Sequence, residues 1–253
     1  MANDAPLALV TGGHRRLGAH VSAALAQAGY ALALHGSHDV ALEPELECVL
    51  ADSKAHWHGF VADFEVPETV PVLMEQVVAH FGRAPDLLVN SAALFGQDRL
   101  ETVTGDDLMR HYAVNSIAPV LLTKAFAASG AAEERCIINI LDQRLAQPHG
   151  DQIAYTLSKQ ALAGFTQIAA RELAPKAIRV NAVAPGLTLA TDEYDDSQMQ
   201  RLAHMMPLGR LPQASQIVDA VLYLARAGAV TGQVIAVDGG AHMQSYPRDF
   251  MHL

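Results

Sequence analysis

Near its start the chain reads Leu7-Ala8-Leu9-Val10-Thr11-Gly12-Gly13-His14-Arg15-Arg16-Leu17-Gly18. The four apolar residues predict a short buried strand, and the glycine-containing turn predicts the start of a helix over 19–29. Backbone N–H groups and the helix dipole face an anion at such a turn. Because the turn follows the first strand, it indicates a dinucleotide-binding site. A plain strand–helix connection is the alternative.

Strand-length and helix-length segments alternate along the rest of the chain. Strands are predicted over 30–35, 57–63, 86–90, 135–141, 178–183 and 233–237, and helices over 40–55, 66–81, 105–128, 154–173 and 215–227. Such alternation is typical of a parallel sheet covered by helices on both faces. We therefore predict an α/β fold, a single doubly wound Rossmann-type domain over 1–253 with a parallel sheet of about seven strands. We also predict a helical flap over about 190–213 and a C-terminal tail over 245–253.

Composition limits the classes of partner. About half of the 253 residues are apolar (51%), as expected for a buried parallel sheet. The net charge of −10 argues against nucleic acid and anionic membranes as partners.

Cys48 and Cys136 show no metal spacing and fit a reduced compartment. The sequence shows no basic-then-apolar leader and no apolar run long enough to cross a bilayer, so we expect a cytoplasmic protein. The twelve histidines are scattered, so we expect most of them on the surface and no metal site.

The end of the second strand indicates the cofactor type. An acidic residue there would bond the adenosine ribose 2′-hydroxyl and repel a 2′-phosphate. This chain instead has His35-Gly36-Ser37-His38, and Arg16 supplies a cation nearby. These residues favour NADPH over NADH, although the carboxylate of Asp39 counts mildly against it. Asp63 ends the third strand, where it could accept from the adenine amino group or cap a helix.

Tyr155 and Lys159 are four residues apart in a predicted helix, so they share a helix face. A tyrosine phenol has a pKa of about 10, and a nearby lysine cation favours the phenolate and lowers that value. Such a pair can transfer a proton at a carbon–oxygen or carbon–nitrogen double bond. The alternative is two surface residues that share a face by chance.

With these pieces, residues 7 to about 241 resemble the short-chain dehydrogenase/reductase family. The matching motifs, in that family's order and spacing, are Thr11-Gly12…Gly18, Asp63, Asn90-Ser91-Ala92-Ala93, Asn115, Tyr155-x-x-x-Lys159 and Pro185-Gly186. Three features are similar to its pteridine reductase and dihydromonapterin or dihydrofolate reductase-like branch. They are the turn T-G-x-x-R-R-L-G, Phe95 after the fourth strand, and Asp142 where the family usually has Ser. The resemblance implies NADPH-dependent reduction of a pterin and a homotetramer, whose C-terminal tails often reach a neighbouring subunit; a disordered tail is the alternative.

The resemblance also implies roles for individual residues. Tyr155 would donate the proton, and Lys159 would bind the nicotinamide ribose and lower the pKa of Tyr155. Asn115 would hold a water that links Lys159 to solvent, unless it is a helix-interior Asn bonded to the backbone. The expected cofactor-binding residues are Gly12, Arg15, Arg16, Leu17, Gly18, His35, Ser37, His38, Asp63, Asn90, Ser91, Ala92, Tyr155, Lys159, Pro185, Gly186 and Thr188.

Asp142 indicates the class of substrate. A serine hydroxyl can donate to a carbonyl oxygen, whereas an ionised carboxylate only accepts and would repel the oxyanion of a ketone reduction. A carboxylate suits a nitrogen-rich ring, and with Tyr155 it can provide the proton that a C=N reduction needs. Capping of a turn is its alternative role. Phe95 could stack on a flat substrate or belong to the core, and Arg16 could also reach the polar edge of a pterin.

Two other functions compete with pterin reduction. The first is a carbonyl reductase of a small ketone or an oxoacyl thioester, against which Asp142 argues. The second is a dinucleotide-sensing binding protein with a dead site. The intact set of Asn115, Tyr155 and Lys159 argues against that alternative.

Overall fold

A computed structural model describes residues 5–130, 134–189 and 194–253. In those ranges the strands β1 to β7 are Leu7–Thr11, Ala31–Gly36, Trp57–Val61, Leu87–Asn90, Arg135–Ile140, Ile178–Pro185 and Val234–Val237. The helices α1 to α8 are Arg16–Gln27, Pro44–Ser53, Thr69–Phe81, Gly105–Tyr112, Ala118–Ala128, Ile153–Leu173, Asp196–Met205 and Ala214–Arg226. A π turn, Ala113–Ile117, joins α4 to α5, and 3₁₀ turns cover Gln143–Leu145, Ala174–Lys176, Ala241–Met243 and Phe250–His252.

The sheet is parallel throughout, with the strand order β3-β2-β1-β4-β5-β6-β7. This order confirms the predicted doubly wound α/β fold. The direction of winding reverses between β1 and β4, which pair from Ala8↔Leu87 to Thr11↔Asn90. Ligands of such sheets bind beyond the carboxyl ends of the strands at this reversal. Thr11 and Asn90 therefore mark where a site is expected.

The core lies on both faces of the sheet. Leu7 and Leu9 of β1 belong to one buried cluster, and Ala8 and Val10 belong to the cluster on the opposite face. Successive side chains of a strand point to opposite faces, so a strand covered on both sides needs apolar residues throughout. This accounts for the unbroken apolar run with which β1 begins.

The helix predicted over 105–128 is interrupted, which corrects that prediction. Its start is well defined, because Thr104 and Asp107 form a reciprocal capping box with N···O distances of 3.1 Å. Continuous α-helix stops at Tyr112, and the wide π turn around Asn115 follows. The side chain of Asn115 bonds to two other segments, which supplies the tertiary reason for the wide turn.

The flap and the tail pack together. Residues 190–193 of the predicted flap lie outside the described ranges, and its described part contains α7, with Leu202 buried against Met206, Ala241 and Phe250. The Gln198 amide donates to the backbone oxygens of Phe250 at 3.1 Å and Met251 at 3.2 Å. The tail therefore packs against its own chain and is not the disordered segment that the sequence left as an alternative, while its contact with a neighbouring subunit stays a prediction.

Candidate active site

A cavity of about 800 Å³ opens at the carboxyl ends of the strands, where the winding of the sheet reverses. All the predicted site residues line this cavity except Asn90 and Asn115, which lie behind its wall. The structure thus brings together the glycine-containing turn, the end of β2, the segment after β4 and the Tyr155 helix.

The glycine-containing turn leaves little space for side chains at Gly12, Gly13 and Gly18. Gly12 has a φ of +61°, and a Cβ there would lie 3.1 Å from the Cα of Ala92. A Cβ on Gly18 would overlap the carbonyl oxygen of Gly12. The exposed Arg15 and Arg16 border the same opening. A close approach to the glycine backbone, two cations and the adjoining cavity fit the pyrophosphate of a dinucleotide.

His35 packs beneath the glycine-containing turn, inside the protein, and binds its backbone. Its ring is buried, accepts from the Gly12 N–H at 3.3 Å through Nδ1 and donates to the Ala62 carbonyl at 2.8 Å through Nε2. It also stacks on Phe64 with a centroid distance of 4.1 Å. Both ring nitrogens are thus engaged within the protein, and the cofactor contact of His35 stays a prediction. Ser37 and His38, which bond to each other at 2.9 Å, lie nearer the solvent.

We expect His35 to make the fold sensitive to acid. Burial lowers the pKa of His35 from 6.5 to about 4, so protonation below pH 6.5 favours the unfolded chain. Its contribution is complete above pH 6.5 and is lost as the pH falls toward 4. Between pH 7 and pH 5 the free energy of unfolding should fall by about 2 kcal/mol through this residue. His35→Gln does not titrate, so denaturant titrations of the variant should show a correspondingly smaller loss. Equal losses in both proteins would contradict the assignment.

Tyr155 and Lys159 do share a face of α6, and both are buried. The Tyr155 hydroxyl donates to Asp142 Oδ2 at 3.0 Å, whereas Lys159 Nζ donates to the Ile140 carbonyl at 2.7 Å. Burial and the charge of Asp142 raise the pKa of Tyr155 well above its ordinary value. The predicted lowering by Lys159 is therefore wrong for this structure, because its ammonium points to β5. Burial lowers the pKa of Lys159 to about 8.

Asp142 caps a turn and also faces Tyr155 inside the cavity, while its role toward a substrate stays a prediction. Its Oδ1 accepts from the backbone N–H of Arg144 at 2.9 Å, which caps the 3₁₀ turn that follows. Its Oδ2 accepts from Tyr155 inside the cavity. One carboxylate oxygen thus fixes the turn, and the other faces the phenol.

Phe95 is not a core residue. Its side chain is 47% exposed and lines the cavity. The ring meets Tyr155 edge to face, with centroids 4.8 Å apart and an interplanar angle of 72°. An exposed aromatic face beside the phenol fits the predicted stacking on a flat substrate.

Asn115 and Asn90 hold the wall of the cavity. Asn115 Oδ1 accepts from the Leu94 N–H at 2.7 Å, and its Nδ2 donates to the Leu94 carbonyl and to Ser158 Oγ, both at 2.9 Å. These bonds fasten the segment that carries Phe95 to α6. Asn90 donates to Asn139 Oδ1 at 2.8 Å within the sheet, and its cofactor contact stays a prediction. The water that Asn115 would hold stays a prediction.

Two other predicted residues define turns at the edge of the cavity. Asp63 accepts from the Glu65 N–H at 2.9 Å and caps a turn, and helix α3 begins only at Thr69. Thr188 donates to the Gly186 carbonyl at 2.9 Å. Both side chains remain on the lining of the cavity, so their cofactor contacts stay predictions.

The sequence interpretation missed Arg144. Its buried guanidinium donates from Nε to Asp142 at 3.2 Å and from Nη2 to Asp249 at 2.9 Å, and its centre lies 5.2 Å from the Tyr155 ring centroid. Burial alone would lower its pKa, but the charges of Asp142, Tyr155 and Asp249 raise it above the ordinary value. One signal was available, because Arg144 is the sole Lys or Arg between Asp142 and Asp151.

Across residues 5–130, 134–189 and 194–253, no three His, Cys, Asp or Glu side chains are grouped in a way that could hold a metal ion. Within the same ranges, no helix has the length and apolar character needed to cross a membrane.

Comparisons with known proteins place the chain among reductases. Residues 13–242 match the family model described as enoyl-(acyl carrier protein) reductase. Pteridine reductase 1 of Leishmania tarentolae is 34% identical over 93% of this chain and 96% of its own. The 3-oxoacyl-[acyl-carrier-protein] reductase FabG of Pseudomonas aeruginosa is 33% identical over 96% of this chain and 100% of its own. The FolM alternative dihydrofolate reductase 1 of Brucella suis, solved in complex with NADP, superposes with a TM-score of 0.88 at 33% identity, over 97% of this chain and 98% of that one.

Proposed function

Because the chain belongs to the short-chain dehydrogenase/reductase family, we propose that it reduces a dihydropterin- or dihydrofolate-type C=N bond with NADPH. The observation that carries this proposal is the 3.0 Å hydrogen bond from the Tyr155 hydroxyl to Asp142, beside the half-exposed ring of Phe95. A proton donor, an acceptor for ring N–H groups and an aromatic face then line one cavity. Pteridine reductase 1 and the FolM protein, whose names specify pterin and folate substrates, are both among the similar proteins.

Several residues support NADPH as the cofactor. Gly36 leaves no carboxylate at the end of β2, and Arg15, Arg16, Ser37 and His38 border the cavity near it. These groups can accept a 2′-phosphate that an acidic residue would repel. The FolM relative was solved with NADP, which agrees with this assignment. When bound, NADPH supplies the hydride.

The side chains supply the other parts of the reaction. Tyr155 keeps its proton at neutral pH, since burial and the charge of Asp142 raise its pKa, and it can donate that proton to the ring nitrogen. Asp142 accepts from N–H or amino groups of the ring and so orients it. Phe95 covers one face of the ring. The buried Arg144 offsets part of the negative charge of Asp142 and of the phenolate that proton transfer leaves.

A second candidate is reduction of an oxoacyl thioester or a small ketone. The similarity to the 3-oxoacyl-[acyl-carrier-protein] reductase of P. aeruginosa favours it. Asp142 argues against it, because a carboxylate offers no hydrogen to a carbonyl oxygen and repels the oxyanion.

The experiment that tests these functions follows NADPH oxidation at 340 nm. Dihydrobiopterin, dihydromonapterin and dihydrofolate are compared with small ketones and an oxoacyl thioester. Turnover of the pterins alone supports the proposal, and turnover of the carbonyl compounds alone refutes it. Tight NADPH binding with no turnover of any compound would favour a dinucleotide-sensing protein.

We expect Arg16→Ala to raise the KM for NADPH by about tenfold and to leave the KM for NADH within about twofold, since a charged hydrogen bond to the 2′-phosphate would be lost. The backbone N–H of Arg16, which donates to Glu43 Oε1 at 2.5 Å, is retained in the variant. Steady-state kinetics with each cofactor measure the difference. Equal weakening of both cofactors would show that Arg16 does not contact the 2′-phosphate.

The homotetramer stays a prediction. The mass of the protein in solution, measured by light scattering, tests it.

A further inference from the structure

A buried polar cluster joins the substrate end of the cavity to the C-terminal tail. Arg144 lies at its centre and is only 7% exposed. Its guanidinium donates to Asp142 at 3.2 Å, to Asp249 at 2.9 Å and to the Gln152 amide oxygen. Asp142 and Asp249 are 107 positions apart in the sequence, yet the two carboxylates bind the same cation.

The contacts to Asp142 are divided between its two oxygens. Oδ1 receives both the backbone N–H and the Nε–H of Arg144, at 2.9 and 3.2 Å. Oδ2 receives the hydroxyl of Tyr155 and lies on the cavity side. The contacts of Arg144 therefore occupy Oδ1 and leave Oδ2 facing the phenol.

Asp249 is itself fixed by two hydrogen bonds that involve the backbone. Its Oδ1 accepts from the Met251 N–H at 3.0 Å, and its own N–H donates to Asp151 Oδ2 at 2.9 Å. Its side chain is 4% exposed, so its ion pair with Arg144 is little screened by solvent. The neighbours Phe250 and Met251 line the same cavity.

We propose that Asp249 and Arg144 are positioning residues: the tail carboxylate fixes the guanidinium, and the guanidinium fixes Asp142 with Oδ2 toward Tyr155. The substrate site thus includes the last residues of the chain. This inference rests on the proposed function only in that Asp142 is taken to bind a pterin ring.

Asp249→Asn tests the arrangement without releasing the tail. The tail keeps the bonds from Arg248 to Asp151, at 3.2 and 3.3 Å, and from the Gln198 amide to the backbone. The matched control is His252→Asn, an exposed position in the same tail. Thermal melts of both variants check that the fold is retained.

The binding measurement is a double-mutant cycle with Asp142→Asn. Calorimetry gives the Kd of 7,8-dihydrobiopterin for each protein saturated with NADP⁺. Asp249→Asn should weaken the pterin about tenfold in the wild-type background and less than about twofold in the Asp142→Asn background, since its effect acts through Asp142. Binding of NADP⁺ and the His252→Asn control should not change. Equal factors in both backgrounds, or no effect in either, would overturn the proposal.

A second measurement needs no substrate, so it separates this inference from the proposed function. In protein labelled with ¹⁵N-arginine, the Nε–H signal that disappears in Arg144→Lys is that of Arg144. Its hydrogen exchange should accelerate at least about tenfold in Asp249→Asn and stay unchanged in His252→Asn. Unchanged exchange in Asp249→Asn would refute the positioning role even if pterins are the substrates. Accelerated exchange without any pterin binding would refute the pterin assignment alone.

Discussion

Tyr155→Phe should lower turnover by about 1,000-fold or more, while the Kd for NADPH changes by no more than a few-fold. The variant removes the hydroxyl that donates to Asp142 at 3.0 Å, and general acid catalysis is worth about 100- to 10,000-fold. The phenyl ring keeps the volume and the edge-to-face contact with Phe95, so the cavity should retain its shape. Single-turnover kinetics give the chemical step, and NADPH fluorescence gives the binding.

Tyr223→Phe is the matched control for this variant. Tyr223 lies in α8, is 56% exposed and does not line the active-site cavity. Its replacement should leave turnover and binding unchanged. If Tyr155→Phe weakened NADPH binding as much as turnover, Tyr155 would be a binding residue and not the proton donor.

Asp142→Ser should lower turnover of the pterin by about 100-fold or more. The serine hydroxyl cannot replace the negative charge that orients the ring N–H groups, and Tyr155 loses its charged carboxylate acceptor. The same change should raise turnover of ketones from the wild-type level, because a hydroxyl can donate to a carbonyl oxygen. Measurement of kcat/KM for both substrate classes gives the switch in preference.

Asp106→Ser, an exposed acidic position at the start of α4, is the control for the loss of one negative charge. It should leave both activities as they are. Unchanged pterin turnover in Asp142→Ser would mean that Asp142 only caps its 3₁₀ turn.

The features that were correctly predicted depend on neighbours in sequence. The turn Gly12…Gly18 follows β1 directly, and Tyr155 and Lys159 occupy one helix face because they are four residues apart. The alternation of strands and helices likewise predicted the doubly wound sheet. Local spacing and period carry this information, so a single sequence is sufficient for it.

The features that were missed depend on partners distant in sequence. Lys159 shares a face with Tyr155, but a carbonyl of β5 competes for its ammonium, and nothing in the spacing indicates this. Arg144 acquires its role from Asp249, which is 105 positions away. His35 was expected to bind the cofactor, and its structural role between Gly12 and Phe64 was not foreseen. The hydrogen-bond partners of these three side chains are set by tertiary packing, which local sequence does not indicate.

The π turn at Ala113–Ile117 changes the faces on which α4 and α5 place their side chains. An α-helix advances about 100° per residue, and a π turn contains roughly one residue more than an α turn. The helices α4 and α5 are therefore out of rotational phase, and a helical wheel drawn through 105–128 assigns side chains to the wrong sides. The additional residue behaves as an insertion that the helix does not need for its own hydrogen bonding. It is accommodated because it lets Asn115 reach both Leu94 and Ser158, so the wall of the cavity sets the rotation of α5 relative to α4.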